Sequence, residues 1–253
     1  MSGHSKWSSI KHKKGKEDQK RGKIFSRLVK EITVATKQGG GDPAMNPRLR
    51  LAVDKANEAN MPKDTIEKAI KRGTGELPGV SYMELVYEGY GPGGVTIMVN
   101  VTTDNKNRTA SEMRRIFSDH GGSMGETGCV NWMFRRKGYI TVPKERISEE
   151  ELMEKIFSFD VEDIEMSDSD VYEITTSPEK FEGISGAVRD ITEIQTAEIT
   201  MLPSTYVKLE GNEARKMLKL METLDDNDDV QAVYSNFDIS VEEMEKQIRI
   251  ESS

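Results

Sequence analysis

The first sixteen residues crowd Lys6, Lys11, Lys13, Lys14 and Lys16 around one aromatic side chain, Trp7. Lysines at that density neutralise phosphate charge and release counterions, a binding chemistry independent of nucleotide sequence. Trp7 has two readings that stay open: its ring stacks on an unpaired base, or it anchors the segment on neighbouring helices. Lys20, Lys23, Arg27 and Lys30 follow Lys16 at spacings of four, three, four and three. With a helical turn of about 100° per residue these five form one stripe. Arg21 departs from it and projects onto the apolar side. Arg48 and Arg50, near the start of a second helix, extend the basic set. His4 and His12 fall in the arm and read as solvated.

Catalytic strings are present but lack their context. Gly121-Gly122-Ser123-Met124-Gly125 spells the G-x-S-x-G of a nucleophile elbow. An elbow needs strand, turn, then helix, so that the serine stands above a sheet; here the order is helix, loop, strand. A hydrolase using Ser123 is therefore a minor reading. Gly89–Gly94 is glycine-rich, yet it joins two strands and lacks the Lys-Ser/Thr of a phosphate loop. Asp225-Asp226-Asn227-Asp228-Asp229 lacks the glycine and terminal glutamate of a calcium loop and reads as a solvated helix end. Cys129 has no partner for zinc and reads as strand core, and Met113, Met217 and Met221 read as packing. The expectation is no catalytic residue, no metal and no cofactor.

The elements that would position the basic residues follow from period and punctuation. Residues 1–15 read as a flexible basic arm, with too little apolar surface to order itself. Ile24, Phe25, Leu28, Val29, Ile32 and Ala35 share one helical face, and Gly39-Gly40-Gly41 stops that helix. Asn46 caps a second helix with Pro47 at its first position. A third runs from Pro62 to a stop at Gly73. These make a helical domain over 16–79, with Leu77-Pro78-Gly79 as a hinge.

Beyond it the period changes. Strands are expected at Tyr82–Glu88 and Val95–Thr103, then a helix boxed by Thr109 and Glu112, then a strand at Cys129–Arg135. Residues 137–202 read strand (Lys137–Val142), helix, two strands (Val161–Met166 and Val171–Thr176), helix and strand. The first of those helices is capped by Ser148 and Glu151, with Leu152, Ile156 and Phe157 inward; the second starts at Ser177-Pro178. That βαββαβ order is ferredoxin-like. A strand at Thr205–Leu209, a helix at Glu213–Leu224 and a strand at Val230–Asn236 complete the earlier piece. The fold class is α+β and multidomain: a three-helix domain plus two ferredoxin-like α+β domains, one (137–202) inserted in the other (80–136 with 203–239). A capped helix closes the chain over 240–253.

The chain has 253 residues, 32% of them charged, and a formal charge of −8 that conceals an asymmetry. Residues 1–73 hold 18 Lys and Arg against 8 Asp and Glu, a balance of +10; residues 141–253 hold 11 against 29, a balance of −18. A basic head on an acidic body suits a polyanionic partner that the body repels. The competing reading is that the two ends attract each other. Arg135, Arg136 and Lys137 form a smaller basic cluster. One cysteine excludes a disulfide framework, and no apolar run approaches the ~20 residues of a membrane span. The expected location is the cytoplasm, with no membrane partner and no small-molecule substrate.

Several motifs in order carry a resemblance. Gly3-His4-Ser5-Lys6-Trp7, Lys20-Arg21-Gly22-Lys23-Ile24-Phe25, Gly39-Gly40-Gly41-Asp42-Pro43, Asn46-Pro47-Arg48-Leu49-Arg50, Tyr87–Gly94, Asp104-Asn105-Lys106-Asn107-Arg108-Thr109 and Asp228-Asp229-Val230-Gln231 are similar to those of the YebC/PmpR family. The resemblance spans nearly the whole chain. It implies a three-domain protein and a nucleic-acid-binding regulator of gene expression. Family members are described both as DNA-binding transcriptional regulators and as translation factors that relieve ribosomes stalled at proline runs. The expectation is a non-enzymatic regulator gripping phosphate through Lys6, Trp7, Lys11, Lys13, Lys14, Lys16, Lys20, Arg21, Lys23, Arg27, Lys30, Arg48 and Arg50. Ribosomal RNA is preferred, because no base-reading element is evident. The alternatives are a promoter-binding transcriptional regulator and a protein-interaction module built on the acidic domains.

Overall fold

The computed structural model describes residues 17–159, 161–165 and 170–251. They divide into two compact units, one formed by the chain through Asn131 and again from Val207, the other by Trp132–Tyr206.

The first unit opens with three helices, α1 (Glu17–Gly39), α2 (Pro47–Glu58) and α3 (Lys63–Thr74). Ile32, Ala35, Leu49, Ala52, Ala56, Ile66 and Ala69 make their core, the small residues letting the helices approach closely. Asn46 joins two of them: its Oδ1 accepts from Leu49 N at 3.1 Å, and its Nδ2 donates to the carbonyls of Ala35 and Gly40 at 2.8 and 2.9 Å. One buried side chain thus caps the start of α2 and the end of α1. Helix α3 runs past the expected stop at Gly73 and ends at Gly75, which takes φ 86°. Gly73 stays helical because α1 needs it bare: a Cβ there would lie 2.5 Å from Thr36 Cβ and 2.7 Å from the Thr33 carbonyl oxygen.

The same unit contains an antiparallel sheet of β1 (Met83–Tyr90), β2 (Thr96–Thr103), β3 (Ser123–Met124) and β9 (Val230–Ser235), in the order β3-β1-β2-β9. Helices α4 (Lys106–Asp119) and α7 (Gly211–Asp226) bury Met113, Phe117, Met217 and Met221 against Ile97, Val99 and Val101. The spatial order is that of a ferredoxin-like sheet, with β1 between β2 and β3 and β9 on the far side of β2. The interposed strand simply comes first in the chain. Strands β8 (Val207–Lys208) and β10 (Phe237–Asp238) pair in parallel as a separate ribbon. The strand expected at Thr205–Leu209 therefore does not join the main sheet. Helix α8 (Val241–Glu251) closes the unit, with Glu243 N donating to Ser240 Oγ.

The second unit is a four-stranded antiparallel sheet of β4 (Phe134–Pro143), β5 (Asp163–Glu165), β6 (Val171–Thr176) and β7 (Thr196–Pro203), ordered β5-β6-β4-β7. In chain order that is 2-3-1-4, the ferredoxin-like arrangement. Helices α5 (Glu149–Ile156) and α6 (Phe181–Arg189) cover Ile140, Val142, Tyr172 and Ile174. Ser148 and Glu151 form the expected capping box. Helix α6 starts at Phe181, because Ser177–Lys180 is spent on a turn. Phe157 is not inward: it follows the last turn of α5 and is 84% exposed.

Two further elements differ from their sequence-based expectation. Residues 125–130 are a looped segment, not a strand, and β4 begins at Phe134. The Glu88 carboxylate collects the backbone N–H groups of Gly128, Val130 and Asn131 at 2.7–2.8 Å, so those donors are unavailable to a ladder. Cys129 consequently sits in a turn, and burial beside Glu88 pushes its thiol up. Helix α4 is capped by Asn105, whose side chain accepts from Arg108 N. Thr109, expected as the cap, lies inside the helix with its hydroxyl turned to Asp229 at 2.8 Å.

Candidate nucleic-acid interface

Lys6, Trp7, Lys11, Lys13, Lys14 and Lys16 lie outside the described residues, and Lys20 is described only as a position in α1. The remaining predicted cations of α1 occur on a packed helix, and Lys23, Arg27 and Lys30 meet aspartate residues. Lys23 Nζ pairs with Asp226 Oδ1 at 2.9 Å in an exposed contact. Arg27 donates to the backbone carbonyl of Asp225. Lys30 Nζ reaches Asp229 Oδ1 and the Asp228 carbonyl, both at 2.8 Å, and the Thr102 carbonyl at 3.3 Å. Of the stripe read from spacing, Lys23, Arg27 and Lys30 meet the end of α7 and the residues just after it. Arg21 projects off the row, as its spacing predicts, and lies over the Phe25 ring with its guanidinium carbon 5.5 Å from the centroid.

Asp229 is the centre of this contact. Its sequence neighbours suggest a solvated run, and the structure corrects that. Its carboxylate takes Lys30, Arg108 at 2.8 Å, Thr103 at 3.0 Å and Thr109 at 2.8 Å. The Lys30 and Asp229 side chains are only 12% and 8% exposed. Burial by itself would raise the Asp229 carboxyl; Lys30, Arg108 and Thr109 together outweigh it and hold the group well below the ordinary aspartate value. The motif Asp104–Thr109 therefore builds a socket for Asp229, with Arg108 shared between Asp104 and Asp229. One cue to this is visible in the sequence. Carboxylates at a helix C-terminus oppose the helix dipole, so Asp225 and Asp226 at the end of α7 need cations from elsewhere.

Arg48 is also committed. Its guanidinium is held by Glu31 at 2.8 and 3.0 Å, by Glu84 and by Gln38. Hydrogen bonds to Glu84 and Glu31 raise it further above the ordinary arginine value, and Arg48 in turn lowers Glu84. Lys30 and Arg48 thus act as internal ties in this structure, which sets them apart from the other predicted contacts. Arg50 is exposed on α2. Sequence reasoning passes over Lys71 and Arg72, exposed cations at the end of α3; no periodic stripe marks them.

The other candidates resolve differently. Arg135, Arg136 and Lys137 lie within β4, where Lys137 pairs with Glu162 and Arg135 donates to the Trp132 carbonyl at 3.2 Å. A ferredoxin-like sheet can serve as an RNA platform when its open face carries stacking aromatics. On the face of this unit opposite its helices Tyr139 and Glu173 are buried, with the Tyr139 hydroxyl donating to Glu173 at 2.7 Å, and Asp163, Glu165 and Glu198 share that face with Arg135 and Lys137. Ser123 lies in the two-residue β3. The neighbouring His120 has Nδ1 at 2.8 Å from the Ile116 carbonyl and Nε2 at 3.1 Å from Thr223 Oγ1. Among the described residues no cluster of three His, Cys, Asp or Glu could hold a metal ion, and no helix is long and apolar enough to cross a membrane.

Residues 5–76 match the model of the TACO1/YebC N-terminal domain, and residues 82–237 match that of the TACO1/YebC second and third domains. A probable transcriptional regulatory protein of Geobacter sulfurreducens is 57% identical over 247 residues, covering 97% of this chain and 99% of the relative. One from Endomicrobium trichonymphae is 55% identical over 249 residues, with the same coverage. The crystal structure of a conserved hypothetical protein from Aquifex aeolicus superposes with a TM-score of 0.78 at 48% identity, covering 91% of this chain and 96% of that one.

Proposed function

The chain belongs to the TACO1/YebC family of non-enzymatic proteins that regulate gene expression, and from that premise we propose that it acts on transcription by gripping the phosphate backbone of duplex DNA. The relatives' names favour this over the ribosomal reading. The observation that carries it is the concentration of cations in the first fifty residues, against an acidic remainder. Lys6, Lys11, Lys13, Lys14, Lys16 and Lys20 supply the bulk of the charge, with Trp7 among them. Arg21, Lys23, Arg27 and Arg50 extend the contact along the helices, while Lys30 and Arg48 hold the bundle in place. Phosphate contacts of this kind position a protein without reading bases.

A second reading, ribosomal RNA, is supported by the outer face of α3. It carries Lys63, Asp64, Glu67 and Lys68, with Lys68 paired to Asp64 at 2.6 Å. Such a mixed, self-paired face is poorly suited to a major groove and leaves recognition to shape and phosphate.

The test is a salt-matched titration of the full chain, and of a version lacking residues 1–16, onto a labelled promoter duplex, with purified ribosomes as competitor. The expected result is duplex binding that resists ribosomes. Truncation removes five lysines and should reduce the slope of log affinity against log salt by about four. Ribosomes stripping the duplex would favour the second reading, and a truncation without effect would overturn the role of the arm.

A further inference from the structure

Resting on that nucleic-acid reading, we infer that the acidic end of α7 is a built-in competitor for the phosphate-binding row of α1. Successive cations of one helix face, Lys23, Arg27 and Lys30, meet Asp226, the Asp225 carbonyl and Asp229 respectively. Carboxylate and carbonyl oxygens there occupy the donors that phosphate oxygens would take. The local sequence is at odds with its own helix: α7 ends on Asp225 and Asp226 with no basic residue in its last turn, where the dipole disfavours anions. Helix α1 answers that conflict: Arg27 donates to the Asp225 carbonyl and Lys23 neutralises Asp226. Local rules broken in this way mark sites where a second demand acts on the sequence.

The three contacts are not equally firm. Lys30–Asp229 is buried and cross-braced by Arg108 and Thr109, so it stays closed. Lys23–Asp226 is exposed, with side chains 40% and 56% accessible, and an exposed pair exchanges its anion at little cost. Lys23 is thus the contestable cation, and Arg27, held by a backbone carbonyl in a part-buried contact, lies between it and the fixed inner pair. Nucleic acid drawn in by the arm displaces the acidic end from Lys23. Weak polyanions do not, so the competitor sharpens selection for dense phosphate.

The experiment compares the full chain with its D225N/D226N variant on a labelled DNA duplex at several salt concentrations. A second variant, E150Q/E154Q, removes the same charge from α5. Freeing Lys23 should tighten binding at least threefold and steepen the salt slope by about one, with E150Q/E154Q unchanged and the thermal midpoint of D225N/D226N held. If that midpoint falls, D226N alone, which touches only the exposed pair, must still show tighter binding. Equal gains in both variants would assign the effect to bulk charge and overturn the competitor. Binding by the natural chain with no gain in D225N/D226N or D226N would overturn it while leaving the nucleic-acid reading intact. No binding by any version would overturn both.

Discussion

Asp229 illustrates how much a single carboxylate decides. It satisfies Lys30, Arg108, Thr103 and Thr109 at once, and through Lys30 it ties the helices to the α+β sheet. Replacing it with asparagine leaves the Lys30 ammonium enclosed without its counterion. Breaking a buried pair in this way costs about 3 kcal/mol, to be read from the urea midpoint of D229N. The pH dependence has a definite sign. A carboxyl lowered in the folded state contributes stability that is complete above its ordinary value, 3.8 here, and is lost as pH falls through the folded value. The stability gap between the natural chain and D229N should therefore be constant from neutrality into the mildly acid range and close only in stronger acid. A gap that closed near neutrality would contradict the assignment.

Among the elements, α1 and α3 meet through a glycine whose role is steric. Two competing magnitudes fix the expected effect of G73A. Alanine gains about 1 kcal/mol of helix propensity over glycine. Overpacking costs about 1–3 kcal/mol, and here the obstacle includes the Thr33 carbonyl oxygen, which cannot swing away. The net outcome is a loss of about 2 kcal/mol at the upper end of that range. Gly22 is the contrasting case. It lies in α1, and a Cβ added there would meet no atom within 4 Å, so G22A should stabilise by about 0.5–1 kcal/mol. Denaturant curves of the two variants moving in opposite directions would verify both. A shared direction would show that propensity alone governs these helices. Asn46 belongs at this scale too, since its side chain ends one helix and starts the next.

For the whole molecule, the arrangement is of one ferredoxin-like unit threaded between the pieces of another. The ends of the inserted unit are adjacent: Phe134 pairs with Pro203, and Ser204 N donates to the Met133 carbonyl at 2.8 Å. Replacing Trp132–Tyr206 by a short Gly/Ser linker should leave the rest folded, because the core cluster at Ile97, Met113, Phe117 and Met217 is composed of residues outside that segment. Circular dichroism and a single cooperative melt would verify this. Loss of cooperativity would mean that the units stabilise each other.

Much of this architecture is legible without any coordinates. The caps Asn46-Pro47 and Ser148…Glu151, the glycine stop after α1 and the βαββαβ order of the inserted unit all follow from residue types and spacings along the chain. So do the charge asymmetry and the cation row on α1, since spacing along a helix fixes a face. What the row faces is a tertiary matter. Lys30 and Asp229 are 199 residues apart, and no local period connects them. The same holds for Glu88, which redirects the 128–131 backbone away from a strand from 40 residues upstream, and for Gly73, which reads as a stop until α1 is packed against it. Short-range rules set the elements and their charges. The partners of those charges depend on how the chain folds back, where burial and a low local dielectric give an ion pair the strength to override a local preference.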